Sequence, residues 1–366
     1  MGRANDGAGP EAAKPVKPVN IRDVALRAGV STATVSRALA APDRVRQALR
    51  DRVEAAVRTL GYTPNLAART LRAGASRMIL IDAPHRIGGS FFAGLLTSLD
   101  EAFTARGYTC IVGSTEQSDE KARRLIELAY ARQIDGAVVL TGLATRIDGR
   151  SLVEANVPIV SICAELIGGG APCVTVDDER WAMRQVEFLA ALGHKSLLYV
   201  GGSEGGYNEV RRRRGFKRGA RAAGIATRHL AFAQGDYSLG SGVDAARAYA
   251  AVFPRATGVV CASDDMALGF MGFAAAAGLK CPDDYSIIGF DGIDYGRNWT
   301  PTLATIAQPS GEMGRVGADL MLRALAGDPA PPDTKITIEC SLLPGGSTAP
   351  PGVTGARRRP APKRRT

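Results

Sequence analysis

Residues 20–39 read NIRDVALRAGVSTATVSRAL, and this stretch decides the fold of the first part of the chain. Asn20 is a good N-cap, and Asp23 follows it at the spacing of a capping box. The apolar residues after Asn20 recur on one helical face as far as Gly29, a residue type that commonly ends a helix. The pattern predicts a helix of two turns between Asn20 and Gly29.

Two further helices follow from the same kind of pattern. The second is predicted from Thr32 to about Ala40, with Ser31 as its N-cap, and the third follows Pro42 and ends at Gly61. The apolar residues that we expect the second helix to bury are Val35, Ala38 and Leu39. Two short helices that are joined by a glycine-containing turn and braced by a third form a helix-turn-helix.

The second helix of a helix-turn-helix lies in the major groove of DNA, so its exposed face carries the candidate DNA-binding residues. Arg37 has the bidentate fork that suits guanine, and Thr32 and Ala33 can contact a thymine methyl group. The side chains that can donate to phosphate oxygens are those of Ser31, Thr34 and Ser36.

The charge of the chain is concentrated at its two ends. The 366 residues allow two or three domains and carry a formal net charge of +10. Residues 1–77 contain 14 Lys and Arg against 6 Asp and Glu, residues 351–366 contain 6 against none, and the part between them is slightly acidic. We therefore expect a polyanion to bind the N-terminal part. For the N-terminal helices, the alternative is a three-helix packing unit without a DNA role. For the basic C-terminal tail, the alternative is a solvated extension.

Composition excludes several classes of protein. No apolar run approaches the ~20 residues of a membrane span, and the first twenty residues lack the apolar core of a signal peptide, so we expect a cytoplasmic protein without membrane contact. The six cysteines are scattered without a C-x-x-C pair, and the chain has only three histidines. We therefore predict neither a metal nor another cofactor.

From Arg77 onward, β-rich runs alternate with amphipathic helical stretches, which predicts parallel sheets of the doubly wound α/β kind. The runs form two similar sets, and we expect two lobes, one after the other. Ligands of such sheets bind outside the carboxyl ends of the strands. Asp178, Asp264 and Asp291 follow predicted strands and can accept hydrogen bonds from the hydroxyls of a sugar. Alternatively, each of them only caps the next helix.

An enzyme is not favoured. Residues 201–206 read GGSEGG after a predicted strand, but they match neither the dinucleotide-binding nor the Walker phosphate motif. The three histidines have no evident nucleophile beside them. We therefore predict no catalytic residues.

Residues 20–39, together with LGYTPNLAARTL at 60–71, resemble the headpiece of the lactose/galactose repressor (LacI/GalR) family. The resemblance implies that Thr32, Ala33 and Arg37 read bases. It also implies that a hinge helix at 65–71 contacts DNA through Asn65, Ala68 and Leu71, with Leu71 wedged into the minor groove. An ordinary linker is the alternative. The chain departs from the family at Arg46, where members usually have a Ser or Thr cap.

The resemblance extends to residue 350, through segments such as ASDDMA at 262–267, IGFD at 288–291 and PTLATIAQP at 301–309. It implies a body like a periplasmic binding protein, with an effector between two lobes. The effector-binding residues that it implies, together with the strand-end carboxylates, are Phe91, Phe92, Asp178, Arg212, Tyr237, Asp264 and Asp291. Asp264 stands where many sugar-responsive members have Asn, and residues 88–90 replace the usual Asn-Pro, so the effector itself is left open.

We therefore predict an all-α helix-turn-helix headpiece followed by a two-lobed α/β body with two doubly wound parallel sheets. The expected divisions are an arm at 1–19, the headpiece at 20–62, the hinge at 63–76, the body at 77–348 and a basic tail at 349–366. The predicted function is that of a DNA-binding regulator, a repressor, which binds a pseudo-palindromic double-stranded operator as a homodimer or tetramer. A small-molecule effector, such as a sugar or sugar derivative, controls this binding. The alternatives are a two-lobed sugar-binding transport protein and a Rossmann-type oxidoreductase.

Overall fold

The structure is a computed structural model that describes residues 19–40, 42–62, 75–85, 90–252 and 256–352. It forms two compact units that divide between Ser76 and Arg77, and each is described here by itself. The predicted hinge contacts Asn65, Ala68 and Leu71 lie outside the described residues, as do nearly all residues of the predicted arm and tail.

The first unit contains the three predicted helices. They are α1 (Ile21–Ala28), α2 (Thr32–Ala40) and α3 (Gln47–Leu60). The capping box at Asn20 is formed on both sides, because the Asn20 side chain and the Asp23 side chain each accept a backbone hydrogen bond. Gly29 ends α1 with φ of 61°, a left-handed conformation that glycine adopts without strain. The prediction of a helix-turn-helix from residues 20–39 is confirmed.

Two details of this unit bear on the sequence predictions. Leu39 is half-buried rather than buried, because it packs at the margin of a small core that Val24, Val35 and Val53 fill. A short 3-10 turn at Pro42–Arg44 precedes α3, so the third helix starts only at Gln47. Arg46 makes no side-chain hydrogen bond to the start of α3, as expected from the missing Ser or Thr.

The second unit begins at Arg77 and alternates strands with helices. The strands among its described residues are β1 (Met78–Asp82), β2 (Thr109–Gly113), β3 (Gly136–Val139), β4 (Arg146–Ile147), β5 (Arg150–Ser151), β6 (Ile159–Ile162), β7 (Cys173–Val176), β8 (Leu197–Val200), β9 (Leu230–Ala233), β10 (Gly258–Cys261), β11 (Ser286–Asp291), β12 (Ala304–Ala307), β13 (Lys335–Ile338) and β14 (Ser341–Leu343). The helices there are α4 (Ser90–Thr104), α5 (Asp119–Tyr130), α6 (Asp178–Ala191), α7 (Tyr207–Ala222), α8 (Leu239–Val252), α9 (Asp264–Ala276), α10 (Asp294–Arg297) and α11 (Ser310–Leu325).

The strands form two six-stranded sheets, one for each lobe. The first sheet has the order β2-β1-β3-β6-β7-β13, and all of its neighbours are parallel. The second has the order β9-β8-β10-β11-β12-β14 and is parallel except that β14 runs antiparallel to β12. The strands β3, β6, β7, β8 and β10 are buried throughout, as expected of parallel strands covered on both faces. The two-lobed prediction is confirmed, apart from this antiparallel edge strand.

The lobes do not follow one another along the chain as the sequence pattern suggested. After the second sheet is largely built, the chain returns to the first lobe, where α11 packs against α4 and β13 pairs with β7. The chain therefore crosses between the lobes three times, at residues 176–178, 307–310 and 338–341. Hydrophobic periodicity predicts elements but not their neighbours, so it did not reveal this interweaving.

No helix among the described residues combines the length and the apolar character needed to cross a membrane.

Ser347 gives a stability prediction for the second lobe. Its buried hydroxyl accepts a hydrogen bond from the Ala304 N–H at 2.9 Å and donates one to the Ile287 carbonyl at 2.7 Å, which fixes the C-terminal segment to two strands. We expect Ser347→Ala to lower the free energy of unfolding by about 1–3 kcal/mol, because it leaves buried backbone groups without a partner. Urea unfolding followed by tryptophan fluorescence measures this, since both tryptophans, Trp181 and Trp299, lie in this unit. The exposed Ser341→Ala is the control, and equal stabilities of the two variants would contradict the prediction.

Candidate DNA-binding surface and ligand site

The exposed face of α2 contains the predicted base-reading residues. Thr32, Ala33 and Arg37 are all exposed in the described structure of the first unit. Arg52 from α3 donates to the Gly29 carbonyl at 3.3 Å and so connects α3 to the turn that sets the direction of α2. The side chains that can meet base edges therefore stand on a helix whose entry turn is held by the third helix.

The three residues predicted to contact phosphate differ in their exposure and in their hydrogen bonds. The Ser31 hydroxyl accepts from the Thr34 N–H at 3.1 Å, and the two hydroxyls are 2.9 Å apart, so both residues take part in capping α2. Ser31 is exposed, whereas Thr34 and Ser36 are half-buried. Capping does not prevent contact with phosphate, because a hydroxyl keeps a second hydrogen-bonding position.

Arg212 is the centre of the candidate ligand site in the second unit. It lies on α7 and is only 4% exposed. Its Nε donates to Asp178 Oδ1 at 2.7 Å, and its Nη1 donates to the Ala262 carbonyl and lies 3.8 Å from Asp291 Oδ1. Asp178 begins α6 just after the first crossing between the lobes, and Asp291 ends β11. The structure thus brings together three residues that the sequence places far apart.

Burial dominates the electrostatics of this cluster. It raises the pKa of Asp178, which Arg212 partly offsets, and it raises the pKa of Asp291 well above its usual range. Burial alone would lower the pKa of Arg212, but the negative charge of Asp178 and its neighbours raises it beyond the ordinary value. A single guanidinium therefore balances two buried carboxyl groups, and neutralising it would leave both without a cation.

Aromatic rings enclose the guanidinium. The Arg212 Cζ lies 3.7 Å from the centre of the Phe290 ring and 6.0 Å from that of Tyr237. Tyr237 has φ of 67° and packs so closely on Gly202 that a Cβ there would lie 2.0 Å from the tyrosine Cζ. Its hydroxyl is buried, and no hydrogen-bond partner for it lies among the described residues. A polar ligand group beside Arg212 would supply the missing partner.

The sequence analysis missed two residues of this cluster, Asn208 and Gln308. The Asn208 side chain donates to the Cys163 carbonyl at 2.9 Å and to Asp178 Oδ2 at 3.1 Å, and Gln308 donates to Asp291 Oδ1 at 2.8 Å. Asn208 precedes Arg212 by one helical turn, so α-helical spacing alone would have found it. Gln308 follows β12 at the second crossing between the lobes, in the segment 301–309 that carried the family resemblance.

Asp264 has a structural role in the described residues. Its Oδ1 accepts from the Thr305 hydroxyl at 2.6 Å, and its Oδ2 accepts from the Gly292 and Ile293 N–H groups at 2.8 and 2.9 Å. It is fully buried, and its Oδ2 holds the loop after β11 while its Oδ1 binds β12. The expected contact between Asp264 and a ligand hydroxyl finds no support in this geometry.

The alternative that these carboxylates cap helices is wrong for Asp178 and Asp264. In each case the preceding residue is the cap: Asp177 accepts from the Arg180 N–H, and Ser263 accepts from the Met266 N–H. The side chains of Asp178 and Asp264 point to other partners instead.

Phe91 and Phe92 lie in the first turn of α4, in the first lobe. Their ring centres are 5.3 Å apart in an edge-to-face arrangement, with Phe91 buried and Phe92 half-buried. The predicted ligand residues thus come from both lobes: Phe91 and Phe92 from the first, and Arg212, Tyr237, Asp264 and Asp291 from the second.

The glycine loop at 201–206 is already occupied by a carboxylate of the chain itself. Glu209 is buried, and it accepts from the Gly202 N–H at 2.6 Å and from the Tyr199 hydroxyl at 2.9 Å. A phosphate would have to displace this carboxylate, which argues against the nucleotide-binding alternative. Among the described residues no group of three or more His, Cys, Asp or Glu is arranged to hold a metal ion.

Asp82, at the carboxyl end of β1, is a further buried acid that the sequence analysis missed. Its oxygens accept from the Thr115 N–H and the Thr115 hydroxyl, both at 2.8 Å. Burial raises the pKa of Asp82 from 3.8 to about 6, although the Thr115 hydrogen bonds lower it. No motif marks Asp82 in the sequence, because it ends an apolar strand and its neighbours Ile81 and Ala83 are apolar.

Comparisons with known proteins agree with this architecture. The profile of bacterial regulatory proteins of the lacI family matches residues 20–65, and that of the periplasmic binding protein-like domain matches residues 186–348. The HTH-type transcriptional repressor CytR of Escherichia coli (strain K12) is 35% identical over 90% of this chain and 96% of its own length. The crystal structure of the Lac repressor bound to ONPG in the repressed state has a TM-score of 0.76 at 25% identity and covers 91% of this chain and 100% of that one. The complex of the transcriptional regulator CelR with cellobiose has a TM-score of 0.65 at 26% identity and covers 90% of this chain and 99% of that one.

A helix-turn-helix unit followed by a two-lobed α/β unit defines the class of DNA-binding transcriptional regulators with a ligand-binding body. The chain belongs to the LacI family of bacterial regulatory proteins. Family members named here are transcriptional regulators rather than enzymes.

Asp82 makes the stability of the body depend on pH. Because its folded pKa of about 6 lies above the ordinary value of 3.8, the unfolded chain loses this proton first, and stability falls as the pH rises from about 4 to about 6. At ~1.4 kcal/mol per pKa unit, we expect the contribution to be about 3 kcal/mol. Asp82→Asn should remove this fall and be the more stable protein at pH 7.5.

The test for Asp82 is urea unfolding of both proteins at pH 5 and pH 7.5, with Glu101→Gln, at an exposed position of the same lobe, as the control. If Asp82→Asn shows the same difference between the two pH values as the native chain, Asp82 does not titrate in this range.

Proposed function

We propose that the chain is a cytoplasmic repressor that binds a pseudo-palindromic operator as a homodimer and is controlled by a sugar or sugar derivative bound between its lobes. Residues 20–62 contact the major groove, residues 63–76 form the hinge, and residues 77–348 bind the effector. The single observation that carries this proposal is the order of the two units. An exposed recognition helix with Arg37 precedes a body that buries Arg212 between Asp178, at the first crossing between the lobes, and Asp291.

The chemistry of the candidate site favours a hydroxyl-rich effector. The carboxylates, amides and guanidinium of the site can bind paired hydroxyls. The aromatic rings beside them can stack on the face of a sugar. The solved relatives named above contain cellobiose and ONPG, which supports a sugar or glycoside for this chain as well. We propose Phe91, Phe92, Asp178, Arg212, Tyr237 and Asp291 as contacts and add Asn208 and Gln308. Asp264 acts indirectly, because it holds the loop that follows Asp291.

The headpiece carries the DNA contacts. We propose that Thr32, Ala33 and Arg37 read bases and that Ser31, Thr34 and Ser36 meet phosphates. Asn65, Ala68 and Leu71 remain proposed hinge contacts from the family pattern. A helix as short as residues 65–71 is not stable alone in water, so it is expected to form when two copies meet on DNA.

The two other candidate functions have less support. A transport protein of the same fold has no use for a DNA-binding headpiece. A Rossmann-type oxidoreductase needs a loop whose N–H groups are free to bind phosphate. Here the Gly202 N–H already donates to the Glu209 carboxylate. An enzymatic activity is therefore not proposed.

Arg37 provides the test of sequence-specific DNA binding. The operator is first selected from random duplexes with the full chain, and its affinity is measured by fluorescence anisotropy at several salt concentrations. We expect the affinity to fall steeply with salt. Arg37→Ala should lose ~1–3 kcal/mol on the selected operator and relax the preference at one position of each half-site, because it removes a base contact. Equal losses on all duplexes would make Arg37 a phosphate contact, and failure to select any duplex would overturn the proposed function.

Arg212 provides the test of the effector site. A thermal-shift screen of sugars, sugar acids and nucleosides identifies the effector, since a ligand at 100 times its dissociation constant adds ~2.7 kcal/mol to the stability of the folded state. We expect Arg212→Ala to abolish this shift and the operator response while operator binding persists. The exposed Arg214→Ala, on the same helix, is the control and should keep both. A normal response of Arg212→Ala would remove Arg212 from the site.

A further inference from the structure

Glu165 makes contacts between the lobes that lie outside the candidate ligand site. It follows β6 in the first lobe, and its Oε1 accepts from the Tyr207 hydroxyl of the second lobe at 2.7 Å. The same oxygen lies 3.5 Å from Arg211 Nη2, and Lys335 of β13 also donates to it. Lys335 belongs to the first lobe, so Glu165 is held from its own side while it binds two residues across the gap.

The contacts across the gap are mutually supporting. The Arg211 guanidinium lies 3.5 Å from the centre of the Tyr207 ring, so the two residues that meet Glu165 also stack on each other. Lys335 and Tyr207 lower the pKa of Glu165, and burial together with the hydrogen bond to Glu165 raises that of Tyr207. Glu165 is therefore an anion that accepts from a protonated tyrosine at neutral pH.

The first turns of α7 carry two parallel sets of contacts. Tyr207 and Arg211 are four residues apart and so share one helical face, which meets Glu165. Asn208 and Arg212 are also four residues apart, and their face meets Asp178 in the candidate ligand site. Because an α-helix moves as a rigid element, a displacement of Arg212 also displaces the residues that bind Glu165.

We propose that Glu165, Tyr207 and Arg211 form an interlobe latch that holds α7, and with it Arg212, against the first lobe. Glu165 is a positioning residue, since it acts on the ligand site through α7. The regulatory meaning of the latch rests on the proposed effector site, whereas the existence of the latch does not. Breaking it shifts the lobes towards an open arrangement.

Cys163 provides a measure of this opening. It lies two residues before Glu165, it is buried, and its carbonyl accepts from Asn208 across the gap. Cys261 is also buried, but it lies on β10 inside the second lobe, where opening of the lobes does not expose it. The rate at which iodoacetamide alkylates each thiol, resolved by peptide mass spectrometry, separates lobe opening from unfolding.

We expect Glu165→Gln to accelerate the alkylation of Cys163 by on the order of two- to fivefold, as for loss of a partly exposed charged contact, and to leave Cys261 unchanged. Tyr207→Phe removes only the hydroxyl and should act in the same direction. A Gln side chain keeps an oxygen that can accept from the Tyr207 hydroxyl, so Glu165→Gln removes the charge contacts and Tyr207→Phe removes the hydrogen bond. The double variant should therefore be more open than either single variant. The full chain is used without DNA or effector, so the result does not depend on the proposed function.

Glu154→Gln is the matched control. Glu154 is 43% exposed against 41% for Glu165, and its partner Arg146 lies in the same lobe. Equal Cys163 rates in the native chain, Glu165→Gln and Tyr207→Phe would overturn the proposal, as would equal acceleration by Glu154→Gln. If Glu165→Gln also exposes Cys261, the variant has unfolded, and Tyr207→Phe alone decides the question.

Discussion

The buried pair of Arg212 and Asp178 is the constraint on which the arrangement of the second unit depends. Asp178 stands where the chain first crosses between the lobes, and Arg212 projects from α7 of the second lobe to meet it. A buried ion pair adds little net stability compared with apolar residues, but removal of one partner costs ~3–5 kcal/mol. The pair therefore specifies where α7 lies rather than how stable the fold is. Phe290, Gln308 and Asn208 complete its surroundings.

The three crossings explain why a ligand between the lobes can act on distant parts of the chain. Asp178 and Gln308 lie at the first two crossings, and Glu339, which pairs with Arg180 of α6, lies at the third. Any ligand that repositions Arg212 or Asp291 therefore acts on segments that link the lobes. An effector regulates only through different affinities for two arrangements, and these contacts are where such a difference can arise. The interlobe latch adds a contact between the lobes that lies outside the ligand site but on the same helix, α7.

The headpiece follows a simpler physical rule. Its core is small, and the helix ends are held by local devices: the capping box at Asn20, the cap at Ser31 and the left-handed glycines after α1 and α3. These helix caps depend on residues close in sequence, so the sequence reveals them. Burial of Val24, Val35 and Val53 leaves the polar face of α2 exposed to solvent. The residues that can read DNA are thus fixed by helical periodicity once the core is known.

The sequence alone predicts the helix-turn-helix, the alternation of strands and helices, the family, and Arg212 and Asp291 as candidate site residues. These features depend on residues close in sequence or on motifs with fixed spacing. The sequence did not reveal that the lobes interweave, that Asp264 holds a loop, or that Gln308, Asp82 and Glu165 matter, because these features depend on the tertiary structure. Their partners are far away along the chain, and a hydrogen bond between distant residues leaves no periodic signal in the sequence, since it depends on which strands and helices become neighbours.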